Sequence, residues 1–220
     1  MSALPQAREA LVDAARQLDA AGLNHNASGN LSIRVGTSVL VTPTGMPAAG
    51  MTPKDAVLLD LDGQQIGGFR RPTSEWQLHT EIMRRRPDVS AIVHTHSPEA
   101  TAAAIIGRTV PTIHYVAARF GIGPDEPGLR CADYATYGTE QLAANVADTL
   151  GEAGRACLMA NHGAVVLADD LDAGVALAID VEWFCGVHRR ALQLGEPVSL
   201  VVEEIARVAD RFRSYGQPAD

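Results

Sequence analysis

Val89-Ser90-Ala91-Ile92-Val93-His94-Thr95-His96 decides how the rest of the chain is read. The run is apolar up to Val93 and follows Pro87, which stops any helix arriving from the N-terminal side. It reads as a buried strand, on which residues i and i+2 share a face. His94 and His96 then project side by side, close enough for both imidazoles to hold one ion. They stand at the strand's C-terminal end, where sheets interleaved with helices open their ligand sites.

A second apolar run, Ala156-Cys157-Leu158-Met159-Ala160, reads as another strand, and Asn161-His162-Gly163 follows it directly. His162 thus occupies the same kind of position as His94 and His96. Three neutral imidazoles, with or without a carboxylate, suit zinc while leaving a position for substrate. His25, His79, His114 and His188 have no comparable setting. His79 and His188 fall inside predicted helices, where a satisfied structural histidine is the expectation.

The other elements follow from periodicity. Leu11, Ala15 and Leu18 mark a helix over 6–21, and Gly22 offers its stop. Alternating Leu31, Ile33 and Val35, then Gly36-Thr37 and Val39-Leu40-Val41, form a hairpin signal. Val57-Leu58-Leu59 is a further strand, and Asp62-Gly63 a hairpin-turn dipeptide. Thr73-Ser74-Glu75 opens a helix running to about Arg86. Further helices are expected over 98–106, 139–150, from Asp169 or Asp170 to Leu194, and over 203–213. Strands are expected over 110–115, 155–160 and 164–167, with 121–130 a Gly- and Pro-rich loop. The alternation predicts an α/β fold, a single three-layer α/β/α domain over residues 1–220 with a central, partly antiparallel sheet.

Composition narrows the function. The 220 residues carry a formal charge of −8, which argues against nucleic-acid and anionic-membrane surfaces, both of which need clustered Lys and Arg. An anionic small substrate stays open, since a metal or a helix N-terminus supplies local positive potential. Three scattered cysteines, Cys131, Cys157 and Cys185, fit reduced thiols better than a disulfide framework. Neither a signal-peptide core near the start nor an apolar run of spanning length is found. A cytoplasmic protein is the expectation. Glu75 alone is ambiguous, because a carboxylate is favoured in the first turn of any helix. With Thr73 and Ser74 binding an anion at that helix N-terminus, it would face a nearby metal.

The chain resembles class II aldolases of the L-fuculose-1-phosphate aldolase type, within the aldolase/adducin superfamily. The segments that carry the resemblance are Ser28-Gly29-Asn30-Leu31-Ser32, Thr42-Pro43-Thr44-Gly45, Thr73-Ser74-Glu75-Trp76 and Val93-His94-Thr95-His96. Further on come Ile113-His114-Tyr115, Tyr134-Ala135-Thr136-Tyr137-Gly138, Asn161-His162-Gly163 and Phe212-Arg213-Ser214-Tyr215-Gly216. The resemblance implies one Zn2+ per subunit, with Mn2+ or Co2+ as substitutes, on His94, His96, His162 and Glu75. It implies that Glu75 also acts as the base once substrate arrives. Gly29, Asn30, Thr44, Gly45, Thr73 and Ser74 match a pocket for the phosphate of dihydroxyacetone phosphate. Tyr137 and Phe212 match an aldehyde pocket. Tyr115 and Tyr215 match catalytic tyrosines lent by a neighbouring subunit, Tyr115 as proton donor to the aldehyde oxygen, which makes the expected assembly a homotetramer with shared sites. Tyr137 in place of phenylalanine, Thr73 in place of serine and a longer 121–130 loop depart from the pattern.

The implied reaction is reversible cleavage of a ketose 1-phosphate, such as L-fuculose 1-phosphate or a related deoxyketose or pentulose 1-phosphate, to dihydroxyacetone phosphate and a short aldehyde such as lactaldehyde. No Schiff-base lysine is needed, and Lys54 is the only lysine in the chain. The same scaffold hosts a methylthioribulose-1-phosphate dehydratase and a pentulose-phosphate 4-epimerase, which are the alternatives. A non-catalytic module like the adducin head is a more distant one, since such a module need not keep metal ligands.

Overall fold

The structure, a computed structural model, describes residues 3–123 and 128–214. The run that opened the sequence reading is β5 (Ala91–Thr95), and it lies in the middle of an eight-stranded sheet. The other strands are β1 (Asn30–Val35), β2 (Ser38–Val41), β3 (Val57–Leu59), β4 (Gln65–Gly67), β6 (Cys131–Ala132), β7 (Ala156–Met159) and β8 (Gly163–Ala168). Their order is β4-β3-β2-β1-β5-β8-β7-β6. Every pairing is antiparallel except β6 with β7, so the antiparallel character extends well beyond the early hairpin that announced it.

Helices cover both faces. On one side α1 (Ala3–Ala20), α3 (Pro98–Ile106) and α5 (Leu171–Leu194) bury Leu11, Leu18, Ala104, Val181 and Phe184 against Leu31, Val93 and Val166. On the other, α2 (Trp76–Arg85) and α4 (Glu140–Leu150) bury Leu78, Ile82, Leu142 and Val146 against Val41, Ile92, Val165 and Leu167. The two-residue period of β5 therefore sends Ala91 and Val93 to the first layer, and Ile92 and His94 to the second. The α5 boundary follows from Asp170, whose side chain accepts from Ala173 N at 2.7 Å. A last helix, α6 (Val202–Phe212), packs on the segment 115–120.

One expected strand is absent. Residues 110–115 make a single antiparallel bridge, Val110 with Leu129, and then leave the sheet. Pro111 has no N–H to continue a ladder. Three residues on, the His114 side chain accepts from Val116 N at 3.2 Å and caps a 3-10 helix over Tyr115–Phe120. Conversely, the two-residue edge strand β6 lies where the sequence shows no strand signal.

Candidate metal and substrate site

Three chain turns bring the site together at one end of β5. His94 is the fourth residue of β5 and sits opposite Asn30 of β1 on one side and Val165 of β8 on the other. His96 lies just past the strand end, its backbone N–H donating to Asn24 Oδ1 at 3.2 Å. His162 stands in the turn from β7 to β8. Asn161 takes the left-handed conformation there (φ 55°), which asparagine tolerates better than most side chains. Gly163 then lets the turn pass against β5, because a Cβ there would lie 2.2 Å from Thr95 O.

Glu75 occupies the N-cap position of α2, one residue earlier than the first turn. Its carboxylate and the three imidazoles each offer a ligand atom, and all four atoms lie within 4.8 Å of one another. The rings meet edge-on, with centroids 4.7 to 4.9 Å apart. His94 Nδ1 donates to Ala164 O at 3.0 Å, which turns Nε2 toward His96 Nε2 (2.9 Å) and Glu75 Oε2 (3.2 Å). Such a carbonyl behind the ring fixes which nitrogen is presented as a ligand. Glu75 Oε1 is buried without a hydrogen-bond partner, 3.5 Å from His162 Nε2. A buried acceptor left open beside three converging imidazoles fits a divalent cation.

Electrostatics of the cluster agree. Burial, reinforced by the charge of His94, pushes His96 down to about 3 and His162 down to about 4, so both are neutral donors at neutral pH. Burial acts on His94 in the same direction, but the Glu75 carboxylate beside it and the Ala164 carbonyl raise it overall. Burial would raise Glu75. The charge of His94, with the hydrogen bonds from His94 and Asn30 and the charge of His162, outweighs that and holds it well below the usual carboxylate range.

A cavity of about 300 Å³ opens beside this cluster. Its lining includes Glu75, His96 and His162 together with every residue expected at the phosphate: Gly29, Asn30, Thr44, Gly45, Thr73 and Ser74. Among the described residues the lining has no Lys or Arg, so an anion would rest there on hydroxyls and the N–H groups opening α2. Gly29 has φ 77°, and a Cβ there would lie 2.2 Å from Asn24 Oδ1, the atom that holds His96 N. Tyr137 is at the cavity too, joined by Tyr134, to which the sequence reading gave no role.

Tyr115 and Phe212 are not brought to the cavity within one chain. They lie apart from it, ring centroids 6.2 Å from each other, in a cluster with His114 and Trp183. Tyr115 is 52% exposed there. Tyr215 lies outside the described residues.

His79 is, as expected, a satisfied histidine inside a helix, and its partners tie it to the site. It is fully buried and bonds Ser32 and Asn30, the latter in turn bonded to Glu75. Its signal was spacing: Glu75 and His79 are four residues apart, one helical turn on one face.

No helix among the described residues is long and apolar enough to cross a membrane. The family described as Class II Aldolase and Adducin N-terminal domain matches residues 9–188. A 5-methylthioribulose-1-phosphate/5-deoxyribulose-1-phosphate aldolase of Rhodospirillum rubrum is 42% identical over 96% of this chain and 93% of its own. A 5-deoxy-D-ribulose 1-phosphate aldolase of Bacillus thuringiensis is 35% identical over 97% and 99%. A solved structure of an L-fuculose 1-phosphate aldolase superposes with a TM-score of 0.89, at 33% identity, over 94% of this chain and 96% of that one. With the family's match spanning the sheet and the cluster alike, the chain belongs to the class II aldolase and adducin family and is a lyase of the aldolase type.

Proposed function

We propose that the protein reversibly cleaves a ketose 1-phosphate to dihydroxyacetone phosphate and a short aldehyde, with one zinc ion held by His94, His96, His162 and Glu75. The observation that carries this reading is a single cavity. One side of it bears the carboxylate–imidazole cluster, and the other bears Gly29, Thr44, Gly45, Thr73 and Ser74, which suit a phosphate. The ion would supply Lewis-acid stabilisation of the negative charge that develops on substrate oxygen when the C3–C4 bond breaks. The chain's own residues do the rest. The phosphate pocket fixes the three-carbon unit, so that remote binding energy positions the reacting carbon. In the condensation direction Glu75 removes the proton from the hydroxymethyl carbon, and in cleavage it returns that proton.

The aldehyde lies toward Tyr137, with Tyr134 beside it. Tyr115, from a neighbouring copy, protonates the aldehyde oxygen, and Phe212 reaches the same aldehyde from that copy. The cluster of exposed Tyr115 and Trp183 with half-buried His114 and Phe212 supports this, since an aromatic surface group suits burial between subunits. Tyr215 would come from the same neighbour. The assembly we propose is a homotetramer, each copy folding as one domain and acting in the cytoplasm. Free Cys131, Cys157 and Cys185 are in keeping with a reducing compartment.

The names of the relatives divide the substrate between a 5-deoxy- or 5-methylthio-ribulose phosphate and a fuculose phosphate. The test is release of dihydroxyacetone phosphate by zinc-loaded protein from 5-methylthioribulose, 5-deoxyribulose and L-fuculose 1-phosphates, with a chelator control. Chelator-sensitive release from at least one of them is expected. No release from any, with metal bound, would overturn the reading.

A further inference from the structure

A buried line of hydrogen bonds runs from the sheet to Glu75 and ends on one of its two oxygens. Ser32 Oγ is 2.8 Å from His79 Nδ1, His79 Nε2 is 2.5 Å from Asn30 Oδ1, and Asn30 Nδ2 donates to Glu75 Oε2 at 2.9 Å. Ser32 and His79 have no exposed surface, and Asn30 and Glu75 very little. Asn30 and Ser32 are two residues apart on β1 and so face α2 together, while Glu75 and His79 are one turn apart on the facing side of α2. Strand and helix periodicities thus meet, and packing alone requires none of the three polar groups there.

Donor and acceptor chemistry gives the line a direction. The Glu75 carboxylate only accepts, so Asn30 must turn its amide NH2 toward it and its carbonyl toward His79. That carbonyl only accepts, so His79 must carry its proton on Nε2. Nδ1 is then left as an acceptor, and the Ser32 hydroxyl donates to it. Every proton points toward the anion, an alignment in which each bond polarises the next. With His79 in the other tautomer, the Asn30 amide would turn over and set its carbonyl against the carboxylate.

We propose that His79 is a positioning residue. Through Asn30 it holds Oε2 of Glu75 and leaves Oε1, which has no hydrogen-bond partner, to face the metal and, once substrate has displaced it from there, to carry the substrate proton. This rests on the aldolase reading given above. Asn30 then serves two masters, lining the cavity with one edge of its amide while its orientation is set from behind by an imidazole that never meets substrate. Burial holds His79 neutral, in keeping with a fixed tautomer.

Two replacements separate positioning from packing. Gln places an amide nitrogen about where Nε2 lies, and Asn about where Nδ1 lies. His79→Asn should keep the Ser32 contact, lose the Asn30 bond, and lower kcat by about 10- to 100-fold with KM changed less than about threefold. His79→Gln should recover at least tenfold of that loss. In an Asn30→Ala background, His79→Asn should lower kcat no further. Equal losses in folded His79→Gln and His79→Asn, or a further tenfold loss in the Asn30→Ala background, would overturn the proposal. The 15N spectrum of the metal-free wild-type protein decides without any assay, the His79 ring signals being assigned by through-bond correlation to the His79 backbone. A protonated Nε2 is expected, and a protonated Nδ1 would overturn the proposal even if the variants failed to fold. Should the wild-type enzyme release no dihydroxyacetone phosphate, the aldolase reading falls while the tautomer result still stands or falls alone.

Discussion

Acidifying the metal-free protein from pH 7 to pH 5 should destabilise it, and His79 sets the part of the loss that can be worked out. Burial, aided by the charge of His94 and opposed by that of Glu75, pushes this imidazole down to about 3. Unfolded, it titrates near 6.5. Between those values the unfolded chain holds a proton at this position that the folded chain refuses, so stability falls as pH falls through the window. From pH 7 to pH 5 the unfolded imidazole goes from about one-quarter to almost fully protonated, a linkage of about 2 kcal/mol. His96 and His162 push the same way from less enclosed positions and add less each. His94 runs opposite, since its raised value contributes stability below about 6.5 that is lost as pH rises through its folded value. The Glu75 contribution is present above about 4.5 and nearly constant across the window. The assay is urea unfolding of chelator-treated protein at both pH values, for wild type and His79→Gln. The wild-type loss should exceed that of the variant by about 2 kcal/mol. Equal losses in the two proteins would refute the argument that His79 is buried and neutral.

Glu75→Gln should fold and keep the cavity while releasing dihydroxyacetone phosphate at least about 100-fold more slowly, because an amide cannot carry the proton; release within a few-fold of wild type would exclude Glu75 as base. Metal binding near neutral pH should expel no more than about one proton, from His94, since His96 and His162 are already neutral. Calorimetry in buffers of differing ionisation enthalpy would count it, and a release near three would contradict the neutral pair. Gly163→Ala should lower the melting temperature and weaken zinc binding by about tenfold or more, because the added methyl meets Thr95 O beside His94 and the turn carrying His162 must move. Unchanged zinc affinity by competition with a chromogenic chelator would show that the close approach does not matter.

What the sequence made legible is what strand and helix periods encode. His94 and His96 were readable because a two-residue period leaves few other reasons for two histidines at a strand end, and His162 because a turn glycine follows it. The six residues expected at a phosphate came from resemblance, and the structure gathers all of them around one cavity. Register was not readable. That Asn30 stands opposite His94 depends on which strands pair, and nothing local to residues 28–32 says that β1 will lie beside β5. The partners of His79 were unreadable for the same reason, since they come from a strand more than forty residues away. The expected strand over 110–115 failed on Pro111 and the His114 cap, two local features that outweighed the apolar pattern. Tyr115 and Phe212, which resemblance put at the site, lie apart from the cavity of their own chain.

The unequal anchorage of the cavity walls has a consequence for how such enzymes diversify. His94 lies within β5, His96 just past its end and His162 in the β7–β8 turn, all carried by central strands where a shift of one residue would scramble two packed layers at once. Tyr134 and Tyr137 hang from a loop that follows the two-residue edge strand β6, bound to the sheet on one side only. Mutations can accumulate on that loop without passing through a non-folding intermediate, whereas the catalytic end is frozen by its own neighbours. On the function proposed above, a lineage built this way could trade one aldehyde for another while its chemistry stands still, in line with relatives that keep the aldolase name and change the sugar in front of it.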